Sequence, residues 1–336
     1  MGLTSFSATL SARLLDFAWD EWAQMGISAV PARRSPWAQD PEALILFTLQ
    51  VARADPRLFD ELLDWMLMNE GHLSIRRLRA VCVDDADRAL LAATIGWLAR
   101  RQPRARLKPS GGLAPAEGLE PVFAGSVALG EPDADFAAAG LLRSYTERSG
   151  KSGPPDLSLP INFAFRLRDI LGVGIRSEVV RVLLGTHADR VTTAALARSS
   201  VYAKRNVHDA LTDLAAADVL SAVTISGEQR YSIDRVRWAA LLGLDPHELP
   251  AHHEWPALLG VLRTILRWSQ DPALRDASDY LVESSARQLL ERLRPELAFA
   301  GVPTNLRVRA QDAAPALEAV IEDILAPLER AGAPRG

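Results

Sequence analysis

Apolar residues recur at three- and four-residue spacing along most of this 336-residue chain, which is the pattern of helices that bury one face. Near the start, Asp40 is placed to cap a helix whose first turn holds Pro41, and the run "ALILFTLQVA" continues it. Asp55-Pro56 then starts a second helix with one apolar and one acidic side, and a shorter basic helix, "SIRRLRAVC", follows. We therefore predict a helical domain over residues 1–101.

A stretch dense in proline and glycine, "QPRARLKPSGGLAPAEGLE", interrupts this pattern, and residues 102–132 are predicted to form a linker. Connecting helices are predicted over residues 133–175, in "DADFAAAGLLRSYTER" and "NFAFRLRDILG". Helical spacing returns after Pro250 and predicts a C-terminal helical region over residues 254–332. Helical regions at both ends of the chain should therefore flank a different unit between them.

Residues 176–245 show another order of elements. "RSEVVRVLLGTH" is an amphipathic helix, and "TTAALARSS" is a short helix capped by Thr192 or Thr193. After three or four turn residues, a third helix runs from about Tyr202 to Ala217, and its apolar stripe is formed by Ala203, Val207, Ala210, Leu211 and Leu214. The strands "LSAVTI" and "RYSID" make a hairpin with its tip at residues 226–229. The predicted fold is mainly α, with a small β-hairpin wing.

Three helices followed by a β-hairpin, with a tight turn before the third helix, resemble the winged helix-turn-helix of the MarR and ArsR type transcriptional regulators. The resemblance is to a superfamily and covers residues 176–238, about one fifth of the chain. Asp218 stands where these regulators often have a glycine, and aspartate tolerates the left-handed conformation better than most residues. The family's capping and core positions are occupied here by Thr192, Leu196, Ala197, Val201, Val207, Leu211 and Leu214.

The resemblance implies that the third helix enters the major groove of double-stranded DNA and that the wing reaches the neighbouring backbone or the minor groove. A rotation of about 100° per residue places Arg205, Asp209 and Thr212 opposite the buried stripe, with Tyr202 nearby. Arg205 is then placed to read guanine and Asn206 to read adenine, while Lys204, Tyr202 and the wing residue Arg230 hold phosphates. The predicted DNA-binding residues are Thr193, Tyr202, Lys204, Arg205, Asn206, His208 and Arg230.

The charge of this segment leaves a second interpretation open. Asp209 lies four residues after Arg205, where the two can neutralise each other, and Asp213 adds a further negative charge. Residues 176–238 hold nine basic and seven acidic side chains, and the whole chain has a net charge of −4. This small excess of positive charge in the segment is weak support for DNA binding, which depends on contacts between basic side chains and phosphates. The first hypothesis is a regulator that binds DNA as a homodimer, since two copies on a palindrome double the phosphate contacts. The second is an adaptor or antitoxin-like protein whose winged helix binds a protein partner.

Other chemistry is not favoured by the sequence. The single cysteine, Cys82, fits a reducing compartment, and no secretion signal or membrane-spanning run is evident, so we expect a cytoplasmic location.

Pro154-Pro155 follow the Gly-Lys-Ser of "SGKSG" and forbid the helix that a phosphate-binding loop needs. The cluster "DPHELPAHHEW" is divided by Pro250 and is predicted to be a polar loop without metal. No nucleophile elbow is present, and we expect neither enzymatic activity nor a cofactor.

Overall fold

Two hydrophobic cores organise the computed structural model, which describes residues 2–104, 106–108, 118–123, 131–303 and 312–331. The first core joins helices from both ends of the chain, and we call this part the helical body. The second core is built almost wholly from residues 163–249, and we call this part the central unit. The prediction of a mainly α fold with a small sheet is confirmed.

Fifteen α-helices are present in the described residues. Those of the body that precede the central unit are α1 (Leu3–Gln24), α2 (Pro41–Val51), α3 (Pro56–Asn69), α4 (Ile75–Val81), α5 (Asp85–Arg101) and α6 (Ala134–Ala137). The central unit contains α7 (Phe163–Leu171), α8 (Ile175–Gly185), α9 (Thr193–Ser200), α10 (Lys204–Ala216) and α11 (Arg235–Leu242). The body resumes with α12 (Trp255–Ser269), α13 (Pro272–Arg275), α14 (Asp279–Phe299) and α15 (Ala313–Ala331).

The predicted helix starts in the first hundred residues are confirmed. The Asp40 carboxylate accepts a hydrogen bond from the Ala43 N–H at 3.1 Å, at the start of α2. Asp55 accepts from the Arg57 N–H at 2.9 Å, at the start of α3. In both helices the cap is followed by proline, which has no N–H of its own to satisfy.

Helices from residues 1–101 and from residues 254–332 share one core, although two separate helical regions were predicted. Trp22, Trp65 and Trp255 are fully buried in it. Leu107 and Val122, from the predicted linker, are buried in the same core. Both ends of the chain therefore build a single packed body.

The prediction of a long helix in "DADFAAAGLLRSYTER" is wrong. Only Ala134–Ala137 are helical there, because Gly140 adopts a φ of +76° and the chain then becomes extended. Its extended part, β2 (Leu141–Leu142), pairs in parallel with β1 (Glu120–Pro121). The second connecting helix, in "NFAFRLRDILG", is confirmed as α7.

The central unit carries a three-stranded antiparallel sheet. Its strands, in the spatial order β3-β5-β4, are β3 (Val191–Thr192), β4 (Ser221–Ile225) and β5 (Glu228–Ser232). The predicted hairpin of β4 and β5 is confirmed, but its turn is only Ser226-Gly227, with φ angles of +51° and +80°. A two-residue turn of this kind matches the twist of the paired strands. β3 could not be predicted, because two residues are too few to show an alternation of apolar and polar positions.

The turn between α9 and α10 places Val201 in the left-handed conformation, with a φ of +57°. This conformation costs about 1–2 kcal/mol for a residue with a Cβ, and Val201 packs against the core of the body, which holds it there. α10 begins at Lys204, later than predicted, so Ala203 is exposed and lies outside the buried stripe. The rest of the stripe is confirmed, and Asp218 adopts the predicted left-handed conformation at a φ of +57°.

Gly185, the last residue of α8, packs closely against the segment that leads to α12. An added Cβ would meet the His252 backbone nitrogen at 2.7 Å and the Pro250 backbone oxygen at 2.9 Å. We expect Gly185→Ala to lower the free energy of unfolding by about 1–3 kcal/mol, the usual cost of overpacking a fixed site. The control is Gly260→Ala in α12, where an added Cβ meets no heavy atom of the described residues within 4 Å apart from its chain neighbours and the nearby backbone of its own helix. This variant should be neutral or slightly stabilising. Urea unfolding checks the pair, and equal midpoints would contradict the expectation.

Candidate nucleic-acid interface

The first turn of α10 is exposed and rich in hydrogen-bond donors. Its N-cap residue, Ala203, offers no side-chain cap, and no acidic residue stands in the turn. The first N–H groups of a helix have no partner within the helix, and they carry the positive end of the helix dipole. Lys204 and Arg205 are both exposed and add two full charges at this end. The arrangement suits an anion such as a phosphate.

Arg205 is not paired with the aspartates that follow it in α10. Within the described ranges, no carboxylate lies within 4.0 Å of its guanidinium. Asp213 is instead bound to Arg176 of α8 at 2.7 Å. The interpretation in which Asp209 neutralises Arg205 is therefore not the arrangement in the structure, although Asp209 remains an exposed negative charge on the same helix.

Most other basic side chains of the central unit are held by acidic neighbours. Besides Arg176 with Asp213 and Arg168 with Glu42 and Glu178, the pairs are Arg181–Glu178 (3.0 Å), Arg198–Glu296 (3.1 Å), Arg230–Glu228 (3.7 Å) and Arg237–Asp218 (4.0 Å). Arg190, Lys204 and Arg205 are exposed and make no ion pair with the part of the chain that the structure describes. Two of these three cations lie in the first turn of α10, so unpaired positive charge is concentrated there.

Tyr202 and Thr193, which were predicted to contact DNA, are buried. Tyr202 precedes α10, so the helical rotation that placed it near the outward face does not apply. Its hydroxyl lies 3.3 Å from that of Ser74 in the body, and burial raises the pKa of Tyr202. The α9 cap is Thr192, which accepts from the Ala195 N–H at 3.2 Å. Neither Tyr202 nor Thr193 is therefore exposed for the DNA contact that was predicted for it.

The remaining predicted residues lie on α10 and on the hairpin. His208 is exposed one turn after Lys204. Asn206 is half-buried, and with its amide oxygen turned toward the body it accepts hydrogen bonds from Arg76 at 2.6 and 3.2 Å. Arg230 lies on β5, where Glu228 offsets part of its charge. The structure therefore brings together Lys204 and its neighbours on α10, while Arg230 belongs to a separate element.

Sequence reasoning missed Arg76, which belongs to α4 of the body. Its guanidinium carbon lies 5.3 Å from the ring centroid of Tyr202, within the range of a cation–π contact. The same guanidinium contacts Asn206. The basic string "SIRRLRAVC" was a signal, but no local pattern links it to Asn206, which lies far along the chain.

A buried ion cluster joins the body to the central unit. Its three carboxylates and three guanidiniums belong to Asp40 and Glu42 of the α2 start, Arg77 of α4, Arg168 of α7, and Glu178 and Arg181 of α8. Arg168 contacts Glu42 at 2.7 Å and Glu178 at 2.6 Å. Arg77 contacts both Asp40 and Glu42. The cluster is neutral as a whole, because each sign is present three times.

Burial by itself would raise the pKa values of Asp40 and Glu178. The neighbouring guanidiniums reverse this effect and hold the pKa values of Asp40 and Glu178 below their usual range. Arg77 also donates from Nε to the backbone oxygen of Ser200, at the end of α9, over 3.0 Å. The ion cluster therefore fixes α4 against the turn that leads into α10.

The histidine-rich segment before α12 and the "SGKSG" loop are both held by internal contacts. His253 packs against Trp37 at a centroid distance of 5.7 Å, and burial lowers the pKa of His253 to about 4. His253 is thus packed, whereas Asp245, His247 and Glu248 at the start of the segment are exposed, as expected of the predicted polar loop. In "SGKSG", the Gly150 N–H donates to Asp64 at 2.7 Å. Within the described ranges, no group of three His, Cys, Asp or Glu side chains is arranged to hold a metal ion.

None of the helices in the described parts of the chain combines the length and the apolar character needed to cross a membrane. Comparison of the chain with models of known protein families, with characterised proteins and with solved structures finds no match.

Proposed function

We propose that this protein binds double-stranded DNA through α10 and acts as a transcriptional regulator. The observation that carries the proposal is the first turn of α10, which has no side-chain cap and no acidic residue. Its Lys204 and Arg205 side chains make no ion pair with the residues that the structure describes. The α9–α10 turn and the β4–β5 hairpin supply the other parts of a winged helix-turn-helix, whose second helix lies in the major groove. The proposal assigns the protein no catalytic step and no cofactor.

Each exposed residue of α10 has a role that follows from its position in the proposed complex. Lys204, at the end of the helix, neutralises a phosphate. Arg205 donates through its guanidinium to O6 and N7 of a guanine. Asn206 has its oxygen engaged by Arg76, so it offers its NH₂ group alone and does not read adenine through two bonds. His208 on the helix and Arg230 on the hairpin complete the proposed contact surface.

A homodimer is part of the proposal. One copy offers few unpaired cations, and two copies on a palindromic site double the phosphate contacts without any new type of contact. Analytical ultracentrifugation of the protein with and without duplex DNA measures this stoichiometry. A complex with one protein chain per duplex would remove the dimer from the proposal.

An electrophoretic shift assay with the DNA upstream of the protein's own gene tests DNA binding directly. We expect a shifted band at low salt and a steep loss of affinity as salt is added, because phosphate contacts release counterions. A random duplex of the same length should bind more weakly. Absence of binding to either duplex at low salt would contradict the proposed function.

Lys204→Ala and Arg205→Ala should weaken binding in different ways. Lys204→Ala removes a phosphate contact, so we expect weaker binding to every sequence and a slope of log K against log salt that is smaller by about 1. Arg205→Ala removes a base contact, so we expect it to lose about 1–3 kcal/mol of discrimination between the preferred site and random DNA. Fluorescence anisotropy over a salt series measures both quantities.

The control for these two variants is Arg88→Ala in α5. Arg88 is exposed and bound to Asp85 at 2.7 Å, so its removal should change neither the slope nor the discrimination. If both α10 variants weaken binding to the preferred site and to random DNA by the same factor, the base-reading role of Arg205 is wrong.

A protein partner is the second candidate function. Asp209 is exposed on the outward side of α10, and on α11 the side chains of Val236 and Leu241 are 66% and 67% exposed. Exposed apolar side chains suit a protein interface better than a DNA backbone. Copurification with one stoichiometric protein, together with no DNA shift at low salt, would favour this candidate.

A further inference from the structure

α4 of the body has different chemistry on its two sides. Arg77 is fully buried in the ion cluster. Arg76 and Arg79 are exposed, and their spacing of three residues places them on one side of the helix. Neither has a carboxylate partner in the part of the chain that the structure describes, and Arg79 donates to the backbone oxygen of the exposed Lys108 at 3.0 Å. The outer side of α4, defined by Arg76 and Arg79, is therefore basic and unpaired.

The outer side of α4 is continuous with the start of α10. Arg76 lies 5.3 Å from the ring centroid of Tyr202, in the turn before α10, and 2.6 Å from the amide oxygen of Asn206 in its first turn. Lys204 and Arg205 immediately precede Asn206 and are exposed. A single basic surface therefore extends from the body onto α10.

We propose that the outer side of α4 binds the phosphate backbone of DNA at the edge of the groove that α10 enters. The inference rests on the proposed function and extends the contact surface beyond the central unit. A major groove is about 12 Å wide and is bounded on both sides by phosphates. A helix that packs beside the first turn of the inserted helix lies at one of these boundaries. Guanidiniums suit this position, because they bind phosphate oxygens in a bidentate manner.

The ion cluster gives the outer side of α4 a fixed position relative to α10. Arg77 is bound on one side to Asp40 and Glu42 and on the other to the backbone oxygen of Ser200, at 3.0 Å. The neighbouring Ser74 hydroxyl lies 3.3 Å from that of Tyr202. Because α4 and α10 are already held against each other, binding does not have to order one against the other, and this entropy cost is avoided.

The partner that fits this surface is duplex DNA. An acidic protein would also be attracted to Arg76 and Arg79, but the same surface includes the uncapped helix end at Lys204, whose free N–H groups match a phosphate. Phosphates repeat at regular intervals along the DNA backbone. One duplex can therefore place a base edge or phosphate against α10 and a further phosphate against α4 at the same time. Contacts of this kind position the protein and carry no sequence information.

The test is a double variant, Arg76→Ala with Arg79→Ala, in the full-length protein. We expect the slope of log K against log salt to fall by about 2, and binding at about 0.1 M salt to weaken by a factor on the order of 10 to 100, equally for every sequence. The matched control is Arg88→Ala with Arg100→Ala, which removes the same charge from two exposed arginines of α5 that are bound to Asp85 and Asp135. The control should bind as the wild type does.

A single variant separates a direct contact from an indirect one. Arg76→Ala also removes the contacts with Tyr202 and Asn206, which can disturb α10. Arg79 has no such contact among the described residues, so Arg79→Ala alone should lower the slope by about 1 only if its guanidinium meets a phosphate. An unchanged urea midpoint for each variant verifies that the fold is retained.

The results distinguish failure of this inference from failure of the proposed function. If Lys204→Ala lowers the slope but the double variant binds like the wild type, the inference is overturned and the proposed function stands. Tighter binding by the double variant also overturns it, because α4 would then obstruct the duplex. If the double variant loses a copurifying protein while binding DNA normally, the surface serves that protein and the inference is wrong. If the wild type binds no DNA at low salt, both proposals are wrong.

Discussion

Replacing Arg77 with methionine should lower the free energy of unfolding by about 3–5 kcal/mol, the usual cost of removing one partner from a buried ion pair. Methionine fills a similar space, but three buried carboxylates then face two guanidiniums. The hydrogen bond from Nε to the Ser200 backbone oxygen is lost as well. An unbalanced charge costs much more here than at the surface, because neither water nor salt screens it.

Urea unfolding at neutral pH measures the loss. The control is Arg88→Met, the same substitution at an exposed arginine bound to Asp85, and its midpoint should equal that of the wild type. The loss should shrink as the pH is lowered, because the guanidinium of Arg77 helps to hold down the pKa values of Asp40 and Glu178, and without it a proton restores neutrality. A loss below about 1 kcal/mol would contradict the importance assigned to the ion cluster.

The second large effect is a pH dependence from Glu21, which should remove about 3 kcal/mol of stability as the pH rises from about 5 to about 8. Glu21 is buried in α1 and accepts hydrogen bonds from Trp37 Nε1 at 3.0 Å and Gln39 Nε2 at 2.6 Å. It has no cationic partner within the described residues. Burial raises the pKa of Glu21 from 4.5 to about 7.

The direction of this effect follows from which state holds the proton. Between pH 4.5 and about 7, the folded protein keeps a proton on Glu21 that the unfolded chain has released. The stability contributed by Glu21 is therefore complete below pH 4.5, decreases up to about pH 7 and is constant above it. Asp40 and Glu178 have lowered pKa values, so they contribute stability that is lost only in acid, below about pH 4.

The difference in unfolding free energy between Glu21→Gln and the wild type isolates this group. We expect the difference to move by about 3 kcal/mol in favour of the variant as the pH rises from about 5 to about 8. The exposed Glu147→Gln is the control and should show a constant difference. Parallel pH profiles for Glu21→Gln and the wild type would falsify the assignment.

Much of the local structure could be predicted from the sequence, because its causes are local. Asp40 and Asp55 precede prolines and cap helices, and the alternation in "LSAVTI" and "RYSID" does produce the hairpin. Errors arose where the first residue of a helix is set by the backbone conformation of the turn before it. Tyr202 was placed by rotation about a helix that begins only at Lys204, so its side chain turns into the body.

The contacts between the two units could not be predicted. Asp40 was recognised as a cap, but its carboxylate also meets Arg77 and Arg181, which lie in other helices far along the chain. Likewise, the sequence left open whether Asp209 holds Arg205, since an i,i+4 spacing permits the pair without requiring it. Arg76 was visible only as part of a basic string, because its partners Tyr202 and Asn206 come from tertiary packing.

The ion cluster has a consequence for the proposed complex of a dimer with DNA. Because the cluster ties the turn before α10 to the body, two copies joined through their bodies would hold their two α10 helices at one separation. Half-sites on one face of DNA recur only at intervals of about 34–36 Å, one helical turn. An operator with a few extra base pairs between its half-sites would carry the second half-site around to another face, where the second copy cannot follow. Spacing would therefore be read as strictly as base sequence.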